Sequence, residues 1–148
     1  MSRDVEITCA YGGCVISVHW TFGESPPIPP EWVQSWLGQL LGEFNHIELF
    51  RQLTRVDVWS PDRDDMPAVL RIHHEYGGYY LAGTRAIVLN AGKATKSVLS
   101  HEFGHHVQQV MVEYLASAFA DTFGQLDDTR PAPGARELFE WAAKKAGF

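Results

Sequence analysis

Two histidines and a glutamate occur at a spacing suited to metal-dependent hydrolysis, in the run His101-Glu102-Phe103-Gly104-His105. Residues four apart on an α-helix lie on the same face, so the imidazoles of His101 and His105 can bind one metal ion. Glu102 lies beside them, where its carboxylate can take a proton from a metal-bound water. The pattern predicts a Zn²⁺-dependent hydrolase in which Glu102 is the general base.

The residues around this motif predict a helix that follows a buried strand. Val98, Leu99, Phe103 and Val107 recur at the three- and four-residue intervals of a helix. An apolar run over residues 86–91 precedes them and reads as a buried strand, with a short polar turn between. A surface or core helix whose histidines are incidental is the alternative interpretation.

The segment resembles the zincin metallopeptidases, and residues 101–108 are similar to the bacterial neutral zinc metallopeptidases of gluzincin type. The resemblance covers roughly residues 86–123 and implies that His101 and His105 bind zinc, with Glu102 as the base. It also implies a third zinc ligand, a Glu on a following helix. The closest match is Glu113, which begins Glu-Tyr-Leu-Ala-Ser-Ala-Phe-Ala, with Ser117 in place of the expected Asp.

The short spacing between His105 and Glu113 departs from these families, because only seven residues separate them. On a straight helix Glu113 would lie about 12 Å further along the axis, whereas zinc ligands lie about 2.0–2.2 Å from the metal. Either the helix breaks within residues 108–112, or Glu113 completes the site of a second subunit in a homodimer, or another residue is the ligand. The other candidates are Asp121, Asp127, Asp128, Glu137 and Glu140 downstream, and His73 and His74 upstream.

The bulk properties predict a single domain over residues 1–148. The formal net charge of −6 argues against a nucleic-acid binder, which would carry a basic face. No apolar run is long enough to span a bilayer, and the first residues lack the apolar core of a signal peptide. We therefore expect a cytoplasmic protein whose partner is a peptide or protein substrate, with neither nucleic acid nor membrane involved.

The periodicity of the remaining chain predicts an α+β fold. A hairpin over residues 5–20 turns at Tyr11-Gly12-Gly13, and the flanking Cys9 and Cys14 are expected as reduced thiols, with a cross-strand disulfide as the alternative. Further elements are a helix over residues 31–47, strands over residues 56–59, 68–73, 79–82 and 86–90, and a last helix over residues 135–145. This order predicts a zincin-like domain with a mostly antiparallel sheet of about four or five strands, packed on the N-terminal helix, the motif helix and C-terminal helices.

The resemblance to zincins adds two expectations for the sheet. Residues 87–90 would be an edge strand that pairs with an extended substrate. Tyr79 or Tyr80 would then place a phenol over the scissile carbonyl, unless it simply packs. The predicted function is that of a zinc metallopeptidase; the alternative is a degenerate zincin that binds metal or peptide without hydrolysis.

Overall fold

The computed structural model describes residues 3–21, 26–72, 76–125 and 144. The chain divides into two compact units, Met1–His106 and Val107–Phe148. The described elements, in chain order, are β1 (Arg3–Thr8), β2 (Val15–Trp20), α1 (Pro30–Phe44), α2 (Ile47–Gln52), β3 (Arg55–Trp59), α3 (Ala68–Ile72), β4 (Gly78–Leu81), β5 (Ala86–Asn90) and α4 (Lys96–Gln125). The predicted α+β class is confirmed. The predicted last helix, over residues 135–145, lies outside the described residues except for Lys144.

The five strands form one mixed sheet in the order β1-β2-β3-β5-β4. The outer pairs β1–β2 and β4–β5 are antiparallel, whereas β2–β3 and β3–β5 are parallel. The predicted strand number is therefore confirmed, and the prediction of a mostly antiparallel sheet is wrong. Parallel neighbours need a long crossover, and helices α1 and α2 supply one between β2 and β3.

Strand β5 lies inside the sheet, paired with β3 on one side and β4 on the other. The prediction that residues 87–90 form an open edge for substrate is therefore wrong. All five residues of β5 are buried, as expected for a strand covered on both faces. The edge strand next to the motif helix is instead β4, which the turn at residues 82–85 joins to β5.

A short helix, α3, occupies the segment that was predicted as a strand over residues 68–73. Pro67 directly precedes this helix, and the Pro67 carbonyl accepts the hydrogen bond from the Leu70 amide at 3.0 Å. Leu70 is buried against Met66 and Val88, so the helix covers one face of the sheet beside β5. A short apolar run fits a buried helix as well as a strand, which is why the pattern alone misled.

The predicted hairpin at the start of the chain is confirmed, with residues 9–14 joining β1 to β2. The Cys9 amide donates to the Cys14 carbonyl at 2.7 Å, and both cysteines are buried as free thiols. Gly12 and Gly13 have φ values of +77° and +79°, a region that only glycine adopts without strain. Gly12 also needs its missing side chain, because a Cβ would lie 2.5 Å from the Phe50 main chain.

The two faces of the sheet differ in chemistry. One face carries apolar side chains from the central strands, namely Ile16, Val18, Val56, Val58, Ile87 and Leu89. The alternate positions of β1, β2 and β3 carry polar side chains instead, among them Asp4, Ser17, His19 and Asp57. The rings of Phe50 and Phe103, tilted by 32° with centroids 4.7 Å apart, join helices α2 and α4. Among the described residues, no helix has the length and apolar character to cross a bilayer.

Candidate metal centre

The motif lies on helix α4, as the sequence predicted. Thr95 caps the helix start, because its hydroxyl oxygen accepts the Val98 amide at 3.1 Å and its carbonyl accepts the Leu99 amide. Leu99 and Phe103 are buried and fix which side of the helix faces the core. This leaves the positions of His101 and His105 on the exposed side.

His101 and His105 are neighbours on the helix surface. Their ring centroids lie 4.9 Å apart, with the ring planes at 86° to one another. Both residues are exposed, and so is Gly104 between them, which has open space where a side chain would be. The pair can therefore offer two imidazole nitrogens to one ion approaching from solvent.

Glu102 is buried, with only 5% of its surface exposed, although it adjoins the exposed histidine. Its side chain lies against β4, where a Cβ on Gly78 would approach the Glu102 Cγ to 3.2 Å. Burial raises the pKa of the Glu102 carboxyl, while His101, His105 and a hydrogen bond from the Tyr80 main-chain N–H oppose that rise. A carboxyl with a raised pKa is a better proton acceptor than an exposed one, as general-base chemistry requires.

The Tyr80 main-chain N–H, which donates to Glu102, points away from β5, towards the outer side of β4. The Asn90 amide donates to the Gly77 carbonyl at 2.8 Å, so residues 77, 79 and 81 face β5 with their main-chain groups. By the alternation of an antiparallel ladder, Gly78 and Tyr80 direct theirs away from β5, towards the side of β4 on which the described residues form no further strand. Glu102 is therefore placed at the outer side of β4.

A third histidine of the motif segment, His106, has no surface exposure. Its Nε2 lies 2.7 Å from the Leu49 carbonyl oxygen, and its Nδ1 lies 2.8 Å from the Tyr80 hydroxyl. The Tyr80 phenol is thus directed into the core and only 8% of the residue is exposed, rather than lying over a substrate. Sequence reasoning did not single out His106, although its place four residues after Glu102 put it on the same helix face.

The third metal ligand is not identified among the residues that the structure describes. In that part of the chain no three His, Cys, Asp or Glu side chains are grouped so that they could hold a metal ion. Helix α4 continues through residues 108–112, so the break considered above does not occur. Glu113 is exposed and accepts a long hydrogen bond of 3.4 Å from Gln109.

The other candidate ligands are not placed by the structure. Asp121 lies within α4, where only the main chain is described. His73, His74, Asp127, Asp128, Glu137 and Glu140 lie outside the described residues. Two nitrogen ligands and an adjacent carboxylate fit a zinc ion in part, because catalytic zinc sites use three protein ligands and leave one position open.

Comparisons of this chain with protein-family models, with curated proteins and with solved structures found no match.

A cluster of charged side chains lies on the opposite face of the sheet, and sequence reasoning missed it. His19 is held between two carboxylates, with Nδ1 at 2.7 Å from Asp4 and Nε2 at 2.9 Å from Asp57. Its ring stacks on Trp59 at 3.9 Å. Burial opposes a charge on this ring, but the hydrogen bonds to Asp57 and Asp4 prevail and raise the pKa of His19. The alternation of polar residues in β1, β2 and β3 was the available signal.

Proposed function

We propose that this protein is a zinc-dependent peptidase of the zincin type. The observation that supports the proposal is the arrangement of His101, Glu102 and His105 on α4, with two exposed imidazoles side by side and the carboxylate between them held at the edge of a sheet. His101 and His105 would hold the metal ion. When bound there, a zinc ion lowers the pKa of a coordinated water towards neutrality.

Glu102 acts as the general base in this proposal. Its buried carboxylate accepts a proton from the attacking water and delivers it to the leaving amine of the cleaved peptide. The raised pKa of the carboxyl favours the first of these transfers, because it makes the group a better proton acceptor. The Tyr80 amide restrains the carboxylate while it does so.

Strand β4 takes the substrate in this proposal, in place of the strand over residues 87–90. An extended peptide would pair with the outward main-chain groups of Gly78, next to the Tyr80 N–H that already donates to Glu102, as in other cases of strand addition. Such pairing reads the peptide backbone and accepts many sequences. The substrate class is therefore an unfolded or extended polypeptide.

The first experiment is metal content by elemental analysis of protein purified without added metal. We expect about one zinc per chain in the wild type and none in His105→Ala. Glu102→Gln should keep the zinc and lose about 10²- to 10⁴-fold of its turnover of fluorescein-labelled casein. Zinc-free wild-type protein, even after incubation with the metal, would refute the proposal.

A binding module without hydrolysis is the second candidate, favoured by the missing third ligand in the described residues. In that case the open edge of β4 would bind a peptide and release it uncleaved. A zinc-loaded wild type that binds casein but leaves it intact, with Glu102→Gln binding it equally well, would decide for the module.

A homodimer would resolve the position of Glu113 if each chain supplies that residue to its partner. Light scattering gives the oligomeric state, and zinc titration of Glu113→Gln shows whether the residue contributes to affinity. A sharper test mixes His105→Ala with Glu113→Ala chains. In a dimer with exchanged ligands, one of the two sites regains all its ligands and the mixture recovers activity that neither variant has alone.

A further inference from the structure

Two pairs of side chains run in parallel along helix α4. His101 and His105 form an exposed pair, and Glu102 and His106, each one position later, form a buried pair. A single residue of β4 binds both members of the buried pair. The main-chain N–H of Tyr80 donates to the Glu102 carboxylate, and the Tyr80 hydroxyl lies 2.8 Å from the His106 Nδ1.

The direction of the hydrogen bonds at His106 follows from the chemistry of its partners. The Leu49 carbonyl can only accept, so the His106 Nε2 carries the proton that bridges the 2.7 Å contact. A neutral ring then has a lone pair on Nδ1, which accepts the Tyr80 O–H. The chain of bonds therefore runs from the Tyr80 hydroxyl through the imidazole to the Leu49 carbonyl.

This chain of bonds ties three elements together, namely α4, α2 and β4. The apolar contacts that hold α4, such as Phe103 on Phe50, are not directional and would tolerate a small rotation of the helix about its axis. Hydrogen bonds are directional, and His106 directly follows His105 on the helix, so its hydrogen bonds can fix the rotation of the metal pair. A general base must be held to fractions of an ångström to work.

We propose that His106 is a positioning residue for the catalytic base. It holds the Tyr80 phenol, and thereby the Tyr80 main-chain amide that restrains the Glu102 carboxylate. It acts through Tyr80 and touches neither metal nor substrate. The inference rests on the proposed function, in which Glu102 is the base.

Tyr80→Phe is the decisive variant, because it keeps the ring and the main-chain N–H and removes only the hydroxyl. We expect kcat on fluorescein-labelled casein to fall about tenfold, with KM and zinc content unchanged. The amide proton resonance of residue 80 should also shift, as its bond to Glu102 changes geometry. Tyr11→Phe, which removes a phenol hydroxyl from the β1–β2 loop beside Gly38, is the matched control and should alter none of these.

His106 variants separate positioning from simple packing. His106→Gln retains a donor for Leu49 and an acceptor for Tyr80, so it should keep more of the wild-type kcat than His106→Leu does. If His106→Leu does not fold, the comparison of His106→Gln with Tyr80→Phe carries the test. Nitrogen-15 NMR of labelled histidine in the wild type should find the His106 proton on Nε2.

Two results would overturn the proposal. One is a folded Tyr80→Phe protein with unchanged kcat and an unchanged amide resonance at residue 80. The other is a His106 proton on Nδ1. If the wild type binds zinc but cleaves no casein, the proposed peptidase function fails. The two NMR measurements still decide the positioning role, because neither depends on turnover.

Discussion

Two histidines, one on each face of the same sheet, each have both ring nitrogens engaged. His106 has no exposed surface and its partners are a phenol and a carbonyl, which are both uncharged. His19 is partly exposed, and its partners are the carboxylates of Asp4 and Asp57. Burial opposes a charge on His19, but its two carboxylate partners prevail and raise its pKa, whereas the ring nitrogens of His106 bond to uncharged groups.

The His19 site shows that carboxylate partners can outweigh burial and raise the pKa of a histidine. The difference between the two histidines also separates two ways of holding a structure together. The face with His106 uses apolar packing and a few directional hydrogen bonds, which suits a site that must keep one geometry. The face with His19 uses paired charges, whose strength changes with pH and salt.

The largest expected effect is the loss of stability in His106→Ala. The substitution removes a buried ring and the hydrogen-bond partner of both Tyr80 and Leu49, at a cost of about 3 kcal/mol in the free energy of unfolding. His105→Ala, one residue earlier and exposed, should change it by less than about 0.5 kcal/mol. Urea denaturation of both variants measures the contrast, and equal losses would show that the helix is not oriented as described.

Glu102→Gln should raise stability, although the proposed function predicts that it removes activity. Burial raises the pKa of Glu102, so its contribution is favourable below the unfolded value of 4.5 and is lost as the pH rises through the folded value. At neutral pH the ionised side chain is therefore a cost, and its amide isostere should add about 1 kcal/mol to the free energy of unfolding. The exposed Glu113→Gln is the control and should leave stability unchanged. A less stable Glu102→Gln protein at pH 7 would argue against a buried carboxylate.

The His19 cluster, on the other face of the sheet, should also make the stability of the protein depend on pH. Because the pKa of His19 is raised, its contribution is complete below the unfolded value of 6.5 and is lost as the pH rises through the folded value. The slope cannot exceed about 1.4 kcal/mol per pH unit for one proton. Thermal denaturation between pH 6 and 9 should show this decline in the wild type and a flatter curve in His19→Gln. Identical curves would mean that the ring is not held by charge.

The smallest effect is expected at the pair Arg51–Glu48 on α2. Both side chains are more than half exposed, unlike Arg63, which is 5% exposed and binds Asp4 and Asp65. An exposed pair of this kind contributes little, so Arg51→Gln should change the free energy of unfolding by less than about 0.5 kcal/mol. Arg63→Gln should cost several times more, and similar values for the two would show that burial does not strengthen the Arg63 contacts.

Local sequence patterns predicted the helices and strands well where residues close together in the chain determine them. The glycines at residues 12 and 13 identified the first hairpin, and the alternation around residues 79–90 identified the second. The sheet order was less accessible, because β2, β3 and β5 pair across connections of a dozen residues or more. The strand–helix–strand order around α1 was the sign of parallel pairing that the prediction did not use.

The sequence by itself determined that His101, Glu102 and His105 lie within little more than one turn of one helix, because their spacing is set by helix geometry alone. Only the tertiary structure decided which strands lie at the edges of the sheet. It also decided that Glu102 and His106 both bond to Tyr80, and that His19 lies between two carboxylates. These contacts join residues 15 to 38 positions apart, and side-chain periodicity carries no record of which distant strand or helix becomes a neighbour.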